Sequence, residues 1–341
     1  MNPRLEFYKI KLRARGRDFV TFRDFAVETL GIGKGATDVT VFKKLHQHFI
    51  QSLKEDYSKS ETLKKRIYIE AKRTINKHYD KRPSLDSGQF TISGVLNGGK
   101  FGTDRAVSNN DDEDDSTALG SNKTVASYFF VFIYLPPDHN EGFFIIHSNS
   151  KEDNITNVFK YYIENLFKHN PSFHKAKAIE FCPQVFQDEF LKGSTIKRVS
   201  FETNVIDNVT SKHGVSSILN EFHIKIEAIP KNKDVSARNI GDVMKVLKDK
   251  VFGTSKKTTR LEDFEKKQTT LEGTFGGATK TMNWDISDND IVPVVYLKDR
   301  ITKKNPDGTP DFEELKQFCE NIFRDEILPE IRPDLNVTKT N

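Results

Sequence analysis

Tyr128-Phe-Phe-Val-Phe-Ile-Tyr-Leu-Pro-Pro137 is the stretch on which the fold turns. From Val125 to Leu135 nearly every residue is aromatic or β-branched, and the run is too short for a fully buried helix, so it predicts a central strand covered on both faces. Pro136-Pro137 stops it, Asp138–Gly142 makes a turn, and Phe143–His147 returns antiparallel. After this hairpin, Val158, Phe159, Tyr162, Ile163, Leu166 and Phe167 recur at helical spacing and predict a helix lying over the sheet.

Upstream, Gln89–Leu96 alternates as a strand and Asn97-Gly98-Gly99 reads as a hairpin turn, with Phe101–Ser108 as the return strand. The run Asn109-Asn-Asp-Asp-Glu-Asp-Asp115 reads as an acidic loop. At the amino end, Leu5–Leu12 alternates into the basic turn Arg13-Ala-Arg-Gly-Arg17. Thr21 with Asp24 forms a capping box ahead of Phe22, Phe25, Ala26 and Leu30, and Gly31 ends that helix. Phe42, Leu45, Phe49, Ile50 and Leu53 mark a second helix, while Ser60–Tyr79 fits either a helix or a helix breaking into a strand at Ile67.

The later chain reads as short strands at Ile179–Val185 and Ile196–Thr203, a short helix at Val215–Phe222 and a strand at His223–Ile229. A helix comes next with the stripe Ile240, Val243, Met244, Leu247 and Val251; Thr258–Glu272 reads as a strand or ribbon, Gly273–Thr281 as a loop, and Ile291–Leu297 as a buried strand. Phe312, Leu315, Cys319, Ile322 and Phe323 define a last helix. The expected class is α+β, with mixed or antiparallel sheets of β-hairpins covered by helices and a second, smaller αβ module. Expected divisions are a body at 1–190, the module at 191–300, a helix at 301–335 returning to the body, and a tail at 336–341.

With 341 residues, 30% of them charged, and 27 phenylalanines, the chain has enough apolar content for a normal core under a heavily charged surface. Cys182 and Cys319 lie far apart with no metal-type spacing, which fits reduced thiols. The opening Met1-Asn-Pro-Arg-Leu-Glu6 is no signal peptide and no apolar run reaches membrane length, so the expected location is cytoplasmic. The net charge of +4 conceals an asymmetry: residues 1–105 carry +10 and residues 106–341 carry −6, with a second basic zone of +5 at 224–267. Two basic zones point to a phosphate-bearing partner.

Catalytic motifs are lacking in the sequence. His46 and His48 are two apart and face differently on a helix, and no HExxH or nucleophile elbow is present. Neither Gly31-Ile-Gly-Lys-Gly35 nor Gly273–Thr281 has the spacing of a phosphate-binding loop. One enzymatic alternative is a Mg²⁺-dependent nuclease built from Asp56, Glu70 and Lys72, since such enzymes pair an aspartate with an acid-x-lysine. A structural protein whose charge serves solvation is another. DNA binding needs less: Lys225, Lys231, Lys233, Arg238, Lys245, Lys248, Lys256, Lys257 and Arg260, with Arg13, Arg15 and Arg17, are placed to neutralise phosphates. No cofactor and no metal site are expected.

The order of elements carries a resemblance. Phe7-Tyr8-Lys-Ile-Lys11 with its basic turn, Phe22–Leu30, Ile92-Ser-Gly94 and Phe101-Gly102 come first. The unit from Val199 through His223-Ile-Lys-Ile-Glu227 and Met244-Lys-Val-Leu-Lys248 to Asn321–Leu328 comes after them. Together they resemble the RexA-like phage-exclusion proteins, and in outline KwaB of the Kiwa defence system. The resemblance implies a homodimer that binds double-stranded DNA without sequence preference, senses phage DNA, and signals to a separate membrane effector protein. It also implies that the late module, including Lys231, Lys233 and the Lys256–Arg260 segment, grips DNA and joins subunits.

Overall fold

A computed structural model describes the chain apart from residues 1, 56–58, 70–71, 74–77, 103–104, 110, 122, 170–173, 211–216, 253–263, 265, 276–277, 287–291 and 336–341. Two compact units emerge: Met1–Phe181 with Val294–Asn341, and Cys182–Pro293. The strands of the first unit are β1 (Arg4–Ala14), β2 (Lys59–Ser60), β3 (Lys65–Tyr68), β4 (Ser84–Asp86), β5 (Thr91–Lys100), β6 (Arg105–Asn109), β7 (Asp112–Leu119), β8 (Val125–Tyr134), β9 (Glu141–Ser148) and β10 (His174–Phe181). Those of the second are β11 (Ser194–Thr210), β12 (Ser217–Ala228), β13 (Lys266–Phe275) and β14 (Ala278–Asp285). The helices are α1 (Phe22–Leu30), α2 (Asp38–Glu55), α3 (Thr156–Leu166), α4 (Gln184–Gly193), α5 (Ile240–Leu247) and α6 (Phe312–Ile322). The class is α+β, as the patterning predicts.

In the first unit a curled antiparallel sheet runs β10-β1-β9-β8-β5-β3-β2, with β4 added beside β5 and the short strand Val295–Tyr296 beside β1. β8 sits between β5 and β9, so its apolar run needs cover on both faces. Phe129, Val131 and Ile133 join a core with Phe22 and Phe25 of α1, Phe42 and Phe49 of α2, and Phe159 and Tyr162 of α3. On the other face the rings of Phe132 and Tyr134 meet Phe323, with centroids at 5.3 and 4.9 Å.

α1 begins in the expected capping box: the Thr21 hydroxyl accepts from Asp24 N at 3.1 Å and Thr21 N donates to the Asp24 carboxylate at 2.7 Å. Such a cap is worth about 1 kcal/mol. The Tyr162 hydroxyl of α3 donates to the Phe49 carbonyl of α2 at 2.8 Å, fixing the helices on the sheet. α6 continues through a wide π turn, Phe323–Ile327, into Leu328–Ile331. Just beyond, the nearly buried Arg332 pairs with Asp138 at 2.9 Å and Asp334 at 2.7 Å.

Several expectations are corrected. Asn97-Gly98-Gly99 is no turn but the interior of β5, which runs on to Lys100. A Cβ on Gly98 would lie 2.7 Å from Ile155 Cγ2, so the glycine answers close packing rather than reversal. Gly94 in the same strand has φ +155° and brings Pro83 so near that a Cβ would fall 2.5 Å from its nitrogen. The segment from Phe101 does not return along β5, because β6 pairs instead with β7 in a separate ribbon. That ribbon draws Asp112–Asp115 into a strand where an acidic loop is expected, since Ser116–Leu119 pairs with Arg105–Ser108 and carries the chain before it along. Ser60–Tyr79 begins at the end of β2 and holds β3, a strand across Ile67 as one of its two readings has it, while β10 ends at Phe181, leaving Gln184–Gly193 to α4.

The second unit is a four-stranded antiparallel sheet in the order β12-β11-β13-β14. Phe190 of α4, Ala237 and Phe264 pack on Ile196, Val199, Phe201 and Leu271, with Ile240, Val243, Met244 and Leu247 of α5 half-buried against them. Val215–Phe222, expected as a helix, instead holds the start of β12 from Ser217, because the period-two series Phe222, Ile224, Ile226 extends backward. Gly273–Phe275 and Ala278–Thr281, expected as parts of a loop, are the end of β13 and the start of β14.

Candidate nucleic-acid interface

In the first unit, β1 places Ile10, Leu12 and Ala14 in the core, so Lys9, Lys11 and Arg13 point the other way. The register with β10 then sets Lys11 opposite Lys177 and Arg13 opposite Lys175. Like charges directly opposite across antiparallel strands destabilise the pair. Lys11 is relieved by Glu141 at 2.8 Å and Lys9 by Glu330 at 3.0 Å. Arg13, Lys168, Lys175 and Lys177 are exposed and have no ion pair among the described residues.

The chain leaves β1 through a turn closed by Arg17 N donating to the Ala14 carbonyl at 3.3 Å, with Gly16 at φ +73°. Arg13, Arg15 and Arg17 thereby line one concavity of about 690 Å³ together with Lys11, Lys168 and Lys175; Asp18 and the buried His174 complete its polar wall beside Asn140. Arg17 is paired with Glu28 at 2.7 Å, and that bond raises its pKa. The corner gathers positive charge around a recess deep enough to take phosphate oxygens.

The second unit treats its cations differently. Lys225 on β12 lies opposite Glu202 on β11, and its Nζ is 3.2 Å from both Glu202 and Glu227. Glu202 also pairs with Lys266 at 3.4 Å, Glu227 with Arg198 at 3.1 Å, and Glu272 with Lys197 at 2.6 Å. The bond to Lys225 holds the Glu202 carboxyl below its ordinary pKa, and that to Glu202 raises Lys225. Lys225 is therefore spoken for.

Lys231 and Lys233 sit in the turn after β12, Arg238 in the short turn Ala237–Asn239, and Lys245 on α5, all exposed and without an ion pair among the described residues. Lys248, also exposed, opens the wide turn Lys248–Phe252. Asp234, Asp242 and Asp249 alternate with these cations. Lys256, Lys257 and Arg260 lie outside the described residues, as do Asp56 and Glu70 of the nuclease alternative, while Lys72 is exposed.

His48 Nε2 contacts the Leu166 carbonyl at 3.1 Å, and burial lowers the pKa of both His46 and His48. Among the described residues no three His, Cys, Asp or Glu side chains gather as a metal-binding group. Cys182 and Cys319 are buried free thiols, and burial pushes Cys319 well up. No described helix is long and apolar enough to cross a membrane. No protein-family model matches the chain, and no curated protein matches it.

Sequence reasoning missed Lys168, Lys175 and Lys177. The signal for Lys175 and Lys177 was present in His174-Lys-Ala-Lys-Ala178, where lysine alternates with small residues at strand period.

Proposed function

We propose that the protein binds double-stranded DNA through its phosphates without sequence preference, using the β1–β10 corner of the first unit, with Lys231, Lys233, Arg238 and Lys245 of the second unit as further contacts. One observation carries this reading: Arg13 faces Lys175 across the strands, neither with an ion pair among the described residues, and both line a cationic recess, an arrangement that opposes folding and is relieved when a polyanion covers it. The resemblance to RexA-like proteins supplies the setting. In it the chain acts as a homodimer in phage exclusion or defence, and passes its signal to a separate membrane effector.

The test is a binding and incubation series on long duplex DNA, with and without Mg²⁺, from low to near-physiological salt. The four uncompensated cations of the corner predict a log–log salt slope of about −3.6 from those four residues alone, since each phosphate contact contributes about −0.9. Intact DNA shifted equally for unrelated sequences is the expected result. Mg²⁺-dependent cleavage would transfer the function to Asp56, Glu70 and Lys72, and absence of binding at low salt would leave a structural protein.

A further inference from the structure

Glu28 carries the wrong charge for its place. It lies in the last turn of α1, where the helix dipole disfavours a carboxylate, and it bonds to Arg17 and His174, two residues that line a recess rich in cations. Its Oε1 accepts from Arg17 Nη1 at 2.7 Å, and its Oε2 lies 3.0 Å from His174 Nε2. The His174 side chain is fully buried, with its ring edge-on to Phe25 of the same helix at 5.5 Å. Its backbone exchanges hydrogen bonds with His169 at 3.1 Å in each direction and faces Ala14 across the strands. One oxygen of Glu28 is thus clamped by a ring with nowhere to move. The other reaches Arg17, whose side chain stays 41% exposed. The Arg17 bond also holds Glu28 below the ordinary carboxylate pKa, so the contact is ionic at neutral pH.

We infer that Glu28 is a positioning residue for the DNA contact: anchored by buried His174, it fixes the Arg17 guanidinium at the recess that Arg13 and Lys175 also line. The inference rests on the DNA reading and deepens it. Left alone, a long arginine on a glycine-containing turn would lose rotamer freedom on meeting a phosphate; held beforehand, it loses less.

Charge and position have opposite signs, which makes the test decisive. Binding of a labelled mixed-sequence duplex is followed by fluorescence polarisation over a salt series. Removing an anion beside a polyanion site should tighten binding if charge is all that Glu28 contributes. Positioning predicts that Glu28→Ala weakens binding by about three- to tenfold and makes the salt slope shallower by about one. Glu28→Gln, which keeps an oxygen for Arg17 while shedding the charge, then binds at least as tightly as wild type. In an Arg17→Ala background, Glu28→Ala brings no further loss. Tighter binding by Glu28→Ala, or an equal loss with Arg17 already gone, overturns the inference. His174→Phe keeps the packing and the Glu28 charge but removes the anchor, so it decides the matter if Glu28→Ala fails to fold: weaker binding supports the relay and unchanged binding refutes it. A wild-type chain that binds no duplex at low salt sinks the DNA reading itself, whereas wild-type binding with a tight Glu28→Ala variant sinks this inference alone.

Discussion

The two larger sheets of this protein are both antiparallel and both studded with lysine, yet they set opposite electrostatic patterns. In the first, register places Arg13 across from Lys175 and Lys11 across from Lys177. In the second, Glu202 stands opposite Lys225 and between it and Lys266, so the face neutralises itself. Sequence counts rate 224–267 as basic, but part of that charge is consumed internally. Available charge depends on which residues face one another, and the unpaired cations at β1–β10 are therefore the surface proposed for a polyanion.

Acid should separate the two regions most strongly. His147 on β9 is fully buried, neither ring nitrogen has a hydrogen-bond partner among the described residues, and burial holds its pKa down to about 3. Because the folded pKa lies below the unfolded value, its neutral form favours folding fully above about 6.5. That contribution falls away as pH drops toward 3. At pH 5 the loss amounts to about 2 kcal/mol. The second unit's ion pairs hold until their carboxylates protonate, with Glu202 protected by its lowered pKa. Regional hydrogen exchange between pH 7 and 5 should therefore show the first unit opening first, and His147→Leu should flatten that response. Equal protection loss in both units would break the contrast.

A sharper, smaller effect is expected at the corner itself. Arg13→Ala with Lys175→Ala should reduce duplex affinity by about tenfold at low salt and make the salt slope shallower by about two. Thermal stability should meanwhile stay level or rise, since a like-charge pair is removed. A fall in stability together with affinity would mean that the pair is structural.

Smallest is the expected effect of Lys225→Ala, within about twofold of wild type, because Glu202 and Glu227 already neutralise that ammonium. Glu202→Gln with Glu227→Gln should release it and raise affinity a few-fold, measured in the same polarisation assay. A Lys225→Ala loss as large as that of the corner variants would erase the distinction between the two sheets.

Local signals were legible where one element's own residues settle its state. The Val125–Tyr134 strand, the Thr21–Asp24 cap and the α3 stripe are examples. Signals with two physical causes were misread: Gly98 marks close packing against Ile155, though Asn-Gly-Gly often marks a turn. Val215–Phe222 reads as a helix only until its pairing with β11 is known. The candidate site was half visible. Arg13, Arg15 and Arg17 stand out in sequence, but Lys175 and Lys177 become their neighbours only through a strand pairing formed by distant parts of the chain.

The wide turn at Phe323–Ile327 sets the angular phase of the helical segment beyond it. An α-helix advances about 100° per residue, so deleting one residue to make this turn regular would swing the downstream turn by about a quarter of a revolution. Arg332 would then be carried off the bearing on which it meets Asp138 and Asp334. The extra residue in that turn works as a phase shim, letting one continuous helix serve two contact directions: Phe323 toward the sheet and Arg332 toward its carboxylates.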